Sequence, residues 1–150
     1  MKDNYEELKK KYDLPDYKQM VRVFEIDSIS KEDNILREIL KKQHNKIEYY
    51  AELLESLLQP DTSLSSMKET GNLNSEDVTV VRKLFAECMY LLRKFTEFGL
   101  DYGEEEAAKF VVEINNEWKK IKLEIKPILV KLKEIWKKEY KTDYDKGYLG

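Results

Sequence analysis

The sequence contains very few of the residues that bind metals, form disulfides or interrupt helices. Its 150 residues include one cysteine, one histidine, three prolines and five glycines. Cys88 alone excludes an internal disulfide and a cysteine-rich zinc site, and we interpret it as a small hydrophobic core residue. His44 alone cannot complete a ferritin-like di-iron centre, which takes a Glu-x-x-His pair from each of two helices. We therefore expect no cofactor.

Long hydrophobic runs are missing as well. No stretch of about 18 apolar residues is present, so the sequence predicts no membrane-spanning helix. The first residues lack the apolar segment of a signal peptide, and a single cysteine suits a reducing compartment. These features predict a cytoplasmic protein without a membrane partner. The length predicts one domain over residues 1–150.

Charged residues are abundant, at 38% of the chain, and they are unevenly distributed. Residues 118–150, called the basic arm below, contain ten lysines and five acidic residues and so carry a net charge of +5. Since the whole chain carries −3, residues 1–117 carry −8. This asymmetry indicates attraction between the basic arm and an acidic partner, which could be nucleic acid, another protein or a second copy of the chain.

The apolar residues recur at helical spacing and predict an all-α protein, an antiparallel bundle of three long helices. So few glycines and prolines disfavour a β-sandwich or barrel, which needs a turn about every 8–12 residues. The short turn at 99–103 makes the second and third long helices antiparallel. The predicted elements are a helical arm, three long helices and a tail: 1–29, about 31–59, about 75–99, about 104–140, and 141–150.

Local signals mark the helix boundaries. Ser30 and Asp33 resemble a capping box, which predicts the start of the first long helix, and Pro60 ends it. The seam of this helix follows a coiled-coil-like heptad pattern, interrupted only by the polar Gln43. Pro127 lies inside the third long helix, where it predicts a kink.

The helical arm is predicted to consist of two pieces. Pro15 interrupts it, because the residue before a proline avoids the helical region, and a second short helix begins at about Asp16. Asp61, Thr62 and Ser63 can cap a further short helix within the 60–74 connection. In the second long helix, Phe95 lies on the apolar seam and Phe98 at its flank.

The third long helix is predicted to extend past the start of the second, which leaves an apolar segment without an obvious cover. At about 1.5 Å per residue, the overhang is roughly the part that follows Pro127. Either the 60–74 connection or a second copy of the chain could cover it. The second possibility predicts a homodimer with an interaction surface formed by Ile128, Leu132, Ile135, Trp136 and Tyr140.

The first half of the sequence contains four short blocks that are considered together: Asp13-Leu-Pro-Asp-Tyr17, Phe24-Glu-Ile26, Leu36-Arg-Glu-Ile39 and Leu57-Leu-Gln-Pro-Asp-Thr-Ser63. These blocks resemble small archaeal all-helical proteins of unknown function. The resemblance implies an intracellular, archaeal-like helical protein, and it implies no activity, cofactor or site.

Arg37 and His44 lie seven residues apart, which places both on one face of a helix. A similar spacing is found in the HEPN helical ribonucleases, whose arginine and histidine act on RNA phosphodiesters in a bundle dimer. The resemblance implies that Arg37 stabilises the phosphate while His44 transfers a proton. Glu38 departs from the small polar residue that follows the arginine in that family. A structural role on the helix surface is the alternative for both residues.

Glu52 and Glu55 form a pair of carboxylates one helical turn apart. Such pairs hold Mg²⁺ when a partner helix adds ligands, as in the MazG-like nucleotide pyrophosphatases that these glutamates resemble. The second long helix lacks the Glu-x-x-Asp that completes the family pattern. Two exposed, solvated carboxylates are the alternative.

The basic arm places aromatic residues among lysines. Trp136, Tyr140, Tyr144 and Tyr148 recur every four residues, and stacking aromatics beside lysines are typical of single-stranded nucleic-acid binding. None of the four arginines lies in the arm, however, so packing on protein is the alternative. The lysines proposed as nucleic-acid contacts are Lys119, Lys120, Lys137 and Lys138.

These observations together predict a non-enzymatic interaction or scaffold protein that associates with itself through the apolar end of the third long helix. The alternative is an RNA-binding protein, or a HEPN-like ribonuclease that uses Arg37 and His44. The expected partner is accordingly a second copy of the chain or another protein, with nucleic acid as the second possibility.

Overall fold

A computed structural model describes the backbone of residues 1–149 and the side chains of residues 1–141. Six α-helices account for most of the chain, and no β-strand occurs within residues 1–149, which confirms the all-α prediction. One short 3₁₀ helix, Ile26–Ser28, follows the second α-helix. The α-helices are α1 (Lys2–Tyr12), α2 (Tyr17–Phe24), α3 (Ile35–Leu58), α4 (Leu64–Gly71), α5 (Ser75–Phe98) and α6 (Glu104–Leu149).

The helices form two compact units, and each unit combines segments that are distant in sequence. The first unit consists of Met1–Ala51 and Cys88–Lys120. The second unit consists of Glu52–Glu87 and the chain from Ile121 onward. Segments of α3, α5 and α6 contribute to both units, and each unit has its own hydrophobic residues buried.

The first unit contains the two short helices of the predicted N-terminal arm. α1 ends where Asp13 adopts a left-handed conformation with φ 54°, and Pro15 follows. Asp16 caps α2 by accepting a hydrogen bond from the backbone N–H of Gln19 at 3.2 Å. The buried hydroxyl of Tyr5 donates to the Pro15 carbonyl oxygen at 2.5 Å, so α1 is tied to this break. The predicted interruption at Pro15 is therefore confirmed.

The core of the first unit lies between α3 and α6. The predicted seam of α3 is buried here, including Leu36, Leu40 and Ile47. Gln43 is also fully buried, and its Nε2 donates to the Val111 carbonyl oxygen of α6 at 3.0 Å. This hydrogen bond joins the one polar position of the α3 seam to the opposite helix.

In the second unit, α4 and the start of α5 lie along α6. Ser63 caps α4 by accepting from the backbone N–H of Ser66 at 3.2 Å, as its position in the sequence predicts. Lys68 Nζ lies 2.7 Å from Glu139 Oε2. Trp136 Nε1 donates to Glu69 Oε2 at 3.0 Å. The 60–74 connection therefore covers part of α6 after Pro127, which lies inside this helix.

Two predicted boundaries are wrong. α3 begins at Ile35 and not at residue 31, because Asn34 and not Ser30 caps it: Asn34 Oδ1 accepts from the Arg37 backbone N–H at 3.3 Å. α6 continues to Leu149, past the expected end near Tyr140, because the residues that follow Tyr140 include no proline to stop the helix. The predicted tail is thus helical to Leu149. The side chains of Tyr144 and Tyr148 lie outside the described residues.

Candidate functional site

Arg37 and His44 line the same cavity in the first unit, as their spacing on α3 allows. The cavity has a volume of about 490 Å³. α3 contributes a polar wall, and α5 with the turn after it contributes an aromatic wall. The residues that line it include Arg37, Lys41, His44, Phe95, Phe98 and Tyr102.

Arg37 is the cation of this cavity that no carboxylate neutralises. Its guanidinium carbon lies 4.4 Å from the centroid of the Tyr102 ring, a cation–π contact that orients the side chain. Within residues 1–141, Arg37 has no acidic group at ion-pair distance. Lys41 Nζ, in contrast, lies 3.2 Å from Glu38, and His44 Nε2 lies 4.0 Å from Glu48. The guanidinium donors therefore remain able to bind an oxyanion.

Asn34 holds Tyr102 above Arg37. The Asn34 Oδ1 atom accepts one hydrogen bond from the Arg37 backbone N–H and a second from the Tyr102 hydroxyl at 2.8 Å. Burial raises the pKa of Tyr102, so its hydroxyl stays protonated and can donate this bond at neutral pH. The residue that caps α3 thus also fixes the turn after α5 against the site.

The aromatic wall is anchored on Phe110, which is buried. The rings of Phe95 and Phe98 lie with their centroids 4.8 Å and 5.1 Å from that of Phe110, and the second pair is stacked. The His44 ring meets Phe95 edge-on at 5.3 Å. Half-buried aromatic rings next to an unneutralised guanidinium suit a ligand that combines a flat ring with an oxyanion.

Sequence reasoning found half of this cavity. It placed Arg37 and His44 on one helix face, and the same spacing rule would have added Lys41, one turn from each. It assigned Phe95 to the α5 seam and Phe98 to the flank of that seam, and it did not consider Tyr102. These aromatic residues are more than fifty positions from Arg37 in the sequence, so no local pattern links them to it.

Glu52 and Glu55 are both exposed on α3. Within the described side chains, no group of three histidine, cysteine, aspartate or glutamate residues is arranged to hold a metal ion. The pair therefore has no third protein ligand in residues 1–141. Cys88 is buried on α5.

The residues of the predicted interaction surface differ widely in exposure. Ile128 and Leu132 are buried inside the second unit, at 4% and 5% exposure, and Ile135 is half-buried. Trp136 and Tyr140 are exposed, at 37% and 72%. Only the distal part of the surface, beyond Leu132, is therefore accessible to a partner.

The four lysines proposed as nucleic-acid contacts are all exposed. Lys120 Nζ lies 3.5 Å from Glu117. Lys119, Lys137 and Lys138 form no ion pair with any group in residues 1–141. Lys119 and Lys120 belong to the first unit, whereas Lys137 and Lys138 belong to the second.

No protein-family model matches the chain, and no curated protein or solved structure is significantly similar to it. Among the described residues, none of the helices combines the length and the apolar character that crossing a bilayer requires.

Proposed function

We propose that this protein binds RNA and that the cavity in the first unit holds one nucleotide of it. The observation that carries the proposal is the convergence of Arg37 and His44 on one cavity with an aromatic wall. Arg37 would bind a phosphate oxygen, and Phe98 would contact the base. The cavity volume of about 490 Å³ falls in the range of roughly 300–1,000 Å³ common for small-ligand sites, which a nucleotide fits.

A more specific version of this proposal is that the protein also cleaves the RNA that it binds. His44 lies in the cavity with Arg37, where an imidazole could exchange a proton with an RNA hydroxyl or a leaving oxygen. The HEPN resemblance implies in addition that two copies of the chain bring their histidines into one cleft. A His44→Gln variant that binds RNA but no longer cleaves it would support this form.

The binding test compares two substitutions that change the charge equally. Arg37→Gln removes the guanidinium from the cavity, whereas Arg93→Gln removes an exposed guanidinium of the same unit that does not line it. A charge-assisted hydrogen bond contributes about 1.5–3 kcal/mol, so we expect Arg37→Gln to weaken binding of a short fluorescent single-stranded RNA about tenfold or more. Fluorescence anisotropy at constant salt gives the dissociation constants.

Arg93→Gln should leave the affinity within about twofold of the unsubstituted protein, because only the net charge changes. Equal losses for the two variants would mean that the cavity has no special role. An unsubstituted protein that binds no RNA at low salt would contradict the proposal altogether.

Self-association is the second candidate function. The exposed Trp136 and Tyr140 support it, together with Leu64 and Met67 on α4, which are 87% and 59% exposed in the same unit. In this candidate the protein is a non-enzymatic scaffold, and its partner is a second copy. This candidate includes the predicted antiparallel bundle of three long helices with a kink at Pro127. In that arrangement the apolar end of α6 extends past α5.

A further inference from the structure

The outer face of α6 in the second unit carries lysines whose charge is not neutralised by neighbouring carboxylates. Ion pairs occupy two of the charged residues at the flanks of this helix: Lys131 pairs with Asp77, and Glu124 Oε2 lies 3.2 Å from Lys83 Nζ. The lysines of the outer face form no ion pair within residues 1–141. They are Lys122, Lys126, Lys133, Lys137 and Lys141, called the lysine face below.

Helical geometry places these lysines together. At 3.6 residues per turn, the five positions fall within an arc of roughly 100° and extend over roughly 28 Å of helix. The opposite side of the helix is buried through Ile121, Ile125 and Ile128, so the arc points to solvent. No aspartate or glutamate of residues 121–141 falls within the arc. The exposed apolar residues Leu123 and Val130 also fall within the arc, and Glu134 lies about 20° beyond its edge. The face is therefore a strip of lysines with apolar residues along one side.

Two exposed aromatic rings lie along the same strip. Tyr140, 72% exposed, falls at the angular position of Lys122, and Trp136, 37% exposed, lies about 40° outside the arc on the same side. The Trp136 ring is oriented by its hydrogen bond to Glu69 at 3.0 Å. Lysines that contact phosphates beside rings that stack bases form the usual platform for single strands.

We propose that the lysine face binds the backbone of single-stranded nucleic acid, with Tyr140 stacking against a base. A protein partner fits this strip less well, because lysine is depleted at the centres of protein interfaces. Duplex fits less well too, since its bases are stacked and leave Tyr140 without a contact. This surface is separate from the cavity of Arg37, so either can bind without the other.

The test replaces three lysines of the face and, as a matched control, three exposed lysines of the first unit. Lys126→Gln/Lys133→Gln/Lys137→Gln should weaken binding of a short single-stranded RNA at least tenfold. Because each phosphate contact contributes about 0.7 to the slope of log affinity against log salt, the slope should fall by about 2. The control variant Lys10→Gln/Lys18→Gln/Lys31→Gln has the same net charge; it should change the affinity by no more than about twofold and leave the salt slope unchanged.

Tyr140→Ala should weaken binding about tenfold with an unchanged salt slope, and Tyr140→Phe should bind like the unsubstituted protein.

Equal losses for the control lysines, or equal affinity for duplex and single strand, would overturn the proposal. Binding of polyglutamate in place of RNA would assign the face to an acidic protein, and a dimer dispersed by the three lysine substitutions would assign it to a second copy. Loss of binding in the lysine variant but not in Arg37→Gln would reject the cavity and retain the lysine face.

Discussion

Gln43 is fully buried, yet only one end of its side-chain amide has a hydrogen-bond partner. Its Nε2 donates to the Val111 carbonyl oxygen at 3.0 Å, while its Oε1 is buried without a partner among the described residues. A typical hydrogen bond contributes about 1 kcal/mol, and an unsatisfied buried acceptor costs about 1–3 kcal/mol. The side chain therefore adds little or nothing to stability. Its contribution is to align α3 with α6, since only one register brings the amide to the Val111 carbonyl.

Gln43→Met keeps the length of the side chain and removes the unsatisfied oxygen, so we expect the free energy of unfolding to rise by about 1 kcal/mol. Gln43→Ala also removes the oxygen but leaves a cavity, and it should lower the free energy of unfolding by about 2 kcal/mol. Urea unfolding followed by circular dichroism measures both changes. If the methionine variant lost as much stability as the alanine variant, the amide would be a net stabilising group.

For single residues, the sequence predicts which side chains lie near each other on one helix. It does not predict which side chains of different helices are in contact. Gln43 stood out as the polar exception in the heptad seam, and Arg37 with His44 followed from helical spacing. The partners of these residues, Val111 and Tyr102, lie in segments far away in sequence. Finding them requires the register between helices, which depends on side-chain packing throughout the unit.

The start of α5 is held by a reciprocal cap and by an ion pair. Asp77 N–H donates to Asn74 Oδ1 at 2.8 Å, and Asn74 N–H donates to Asp77 Oδ2 at 3.0 Å. The Lys131 ammonium also donates to the Asp77 carboxylate. The hydrogen bond from Lys131, and then that from Asn74, lower the pKa of Asp77 below its ordinary value. A carboxyl whose pKa is lower in the folded state stabilises the fold above its ordinary pKa, and this contribution is lost as the pH falls through the folded value.

The corresponding prediction is that Asp77→Asn destabilises the protein at neutral pH by about 1 kcal/mol and has a much smaller effect at an acidic pH below the lowered folded pKa. The asparagine can still accept the bond from Asn74, so the difference isolates the charge that interacts with Lys131. Urea unfolding at the two pH values measures it. Asp101→Asn, at an exposed aspartate outside any ion pair of residues 1–141, should have no effect at either pH. A constant loss for Asp77→Asn at both pH values would show that the cap, and not the charge, matters.

The helices themselves were largely predictable, but some of their ends were not. Ser63, Asp16 and Pro15 mark boundaries that the structure confirms, because each acts on its nearest neighbours alone. The start of α3 offered several capping residues in a row, from Ser30 to Asn34. Asn34 is the cap in the structure, and its Oδ1 also accepts from the Tyr102 hydroxyl, a contact that no local pattern reveals.

Across the whole chain, the uneven charge has two structural outcomes. Within the second unit, one lysine of the basic arm, Lys131, pairs with Asp77 of a preceding segment. Two glutamates of the arm, Glu124 and Glu139, pair with Lys83 and Lys68 of the preceding segments. Five other lysines of the arm form the lysine face. The charge pattern alone predicted an acidic partner for the entire arm. It could not separate the two sets of lysines, because that division depends on which side of α6 the second unit covers.

The covered part of α6 also limits how the chain can associate with itself. Since Ile128 and Leu132 are buried, Trp136 and Tyr140 leave on the order of 200 Å² of exposed side-chain surface, against about 800 Å² per partner in a stable interface. A dimer must therefore also use Leu64 and Met67 of α4.

If self-association is the function, sedimentation velocity will show a weak dimer that forms with rising concentration, and Met67→Ser/Trp136→Ser will be monomeric. Leu100→Ser, which removes a more exposed apolar side chain from the first unit, should leave the dimer unchanged. A monomer at every concentration would exclude the scaffold candidate, and a dimer insensitive to the substitutions at Met67 and Trp136 would place the interface elsewhere on the chain.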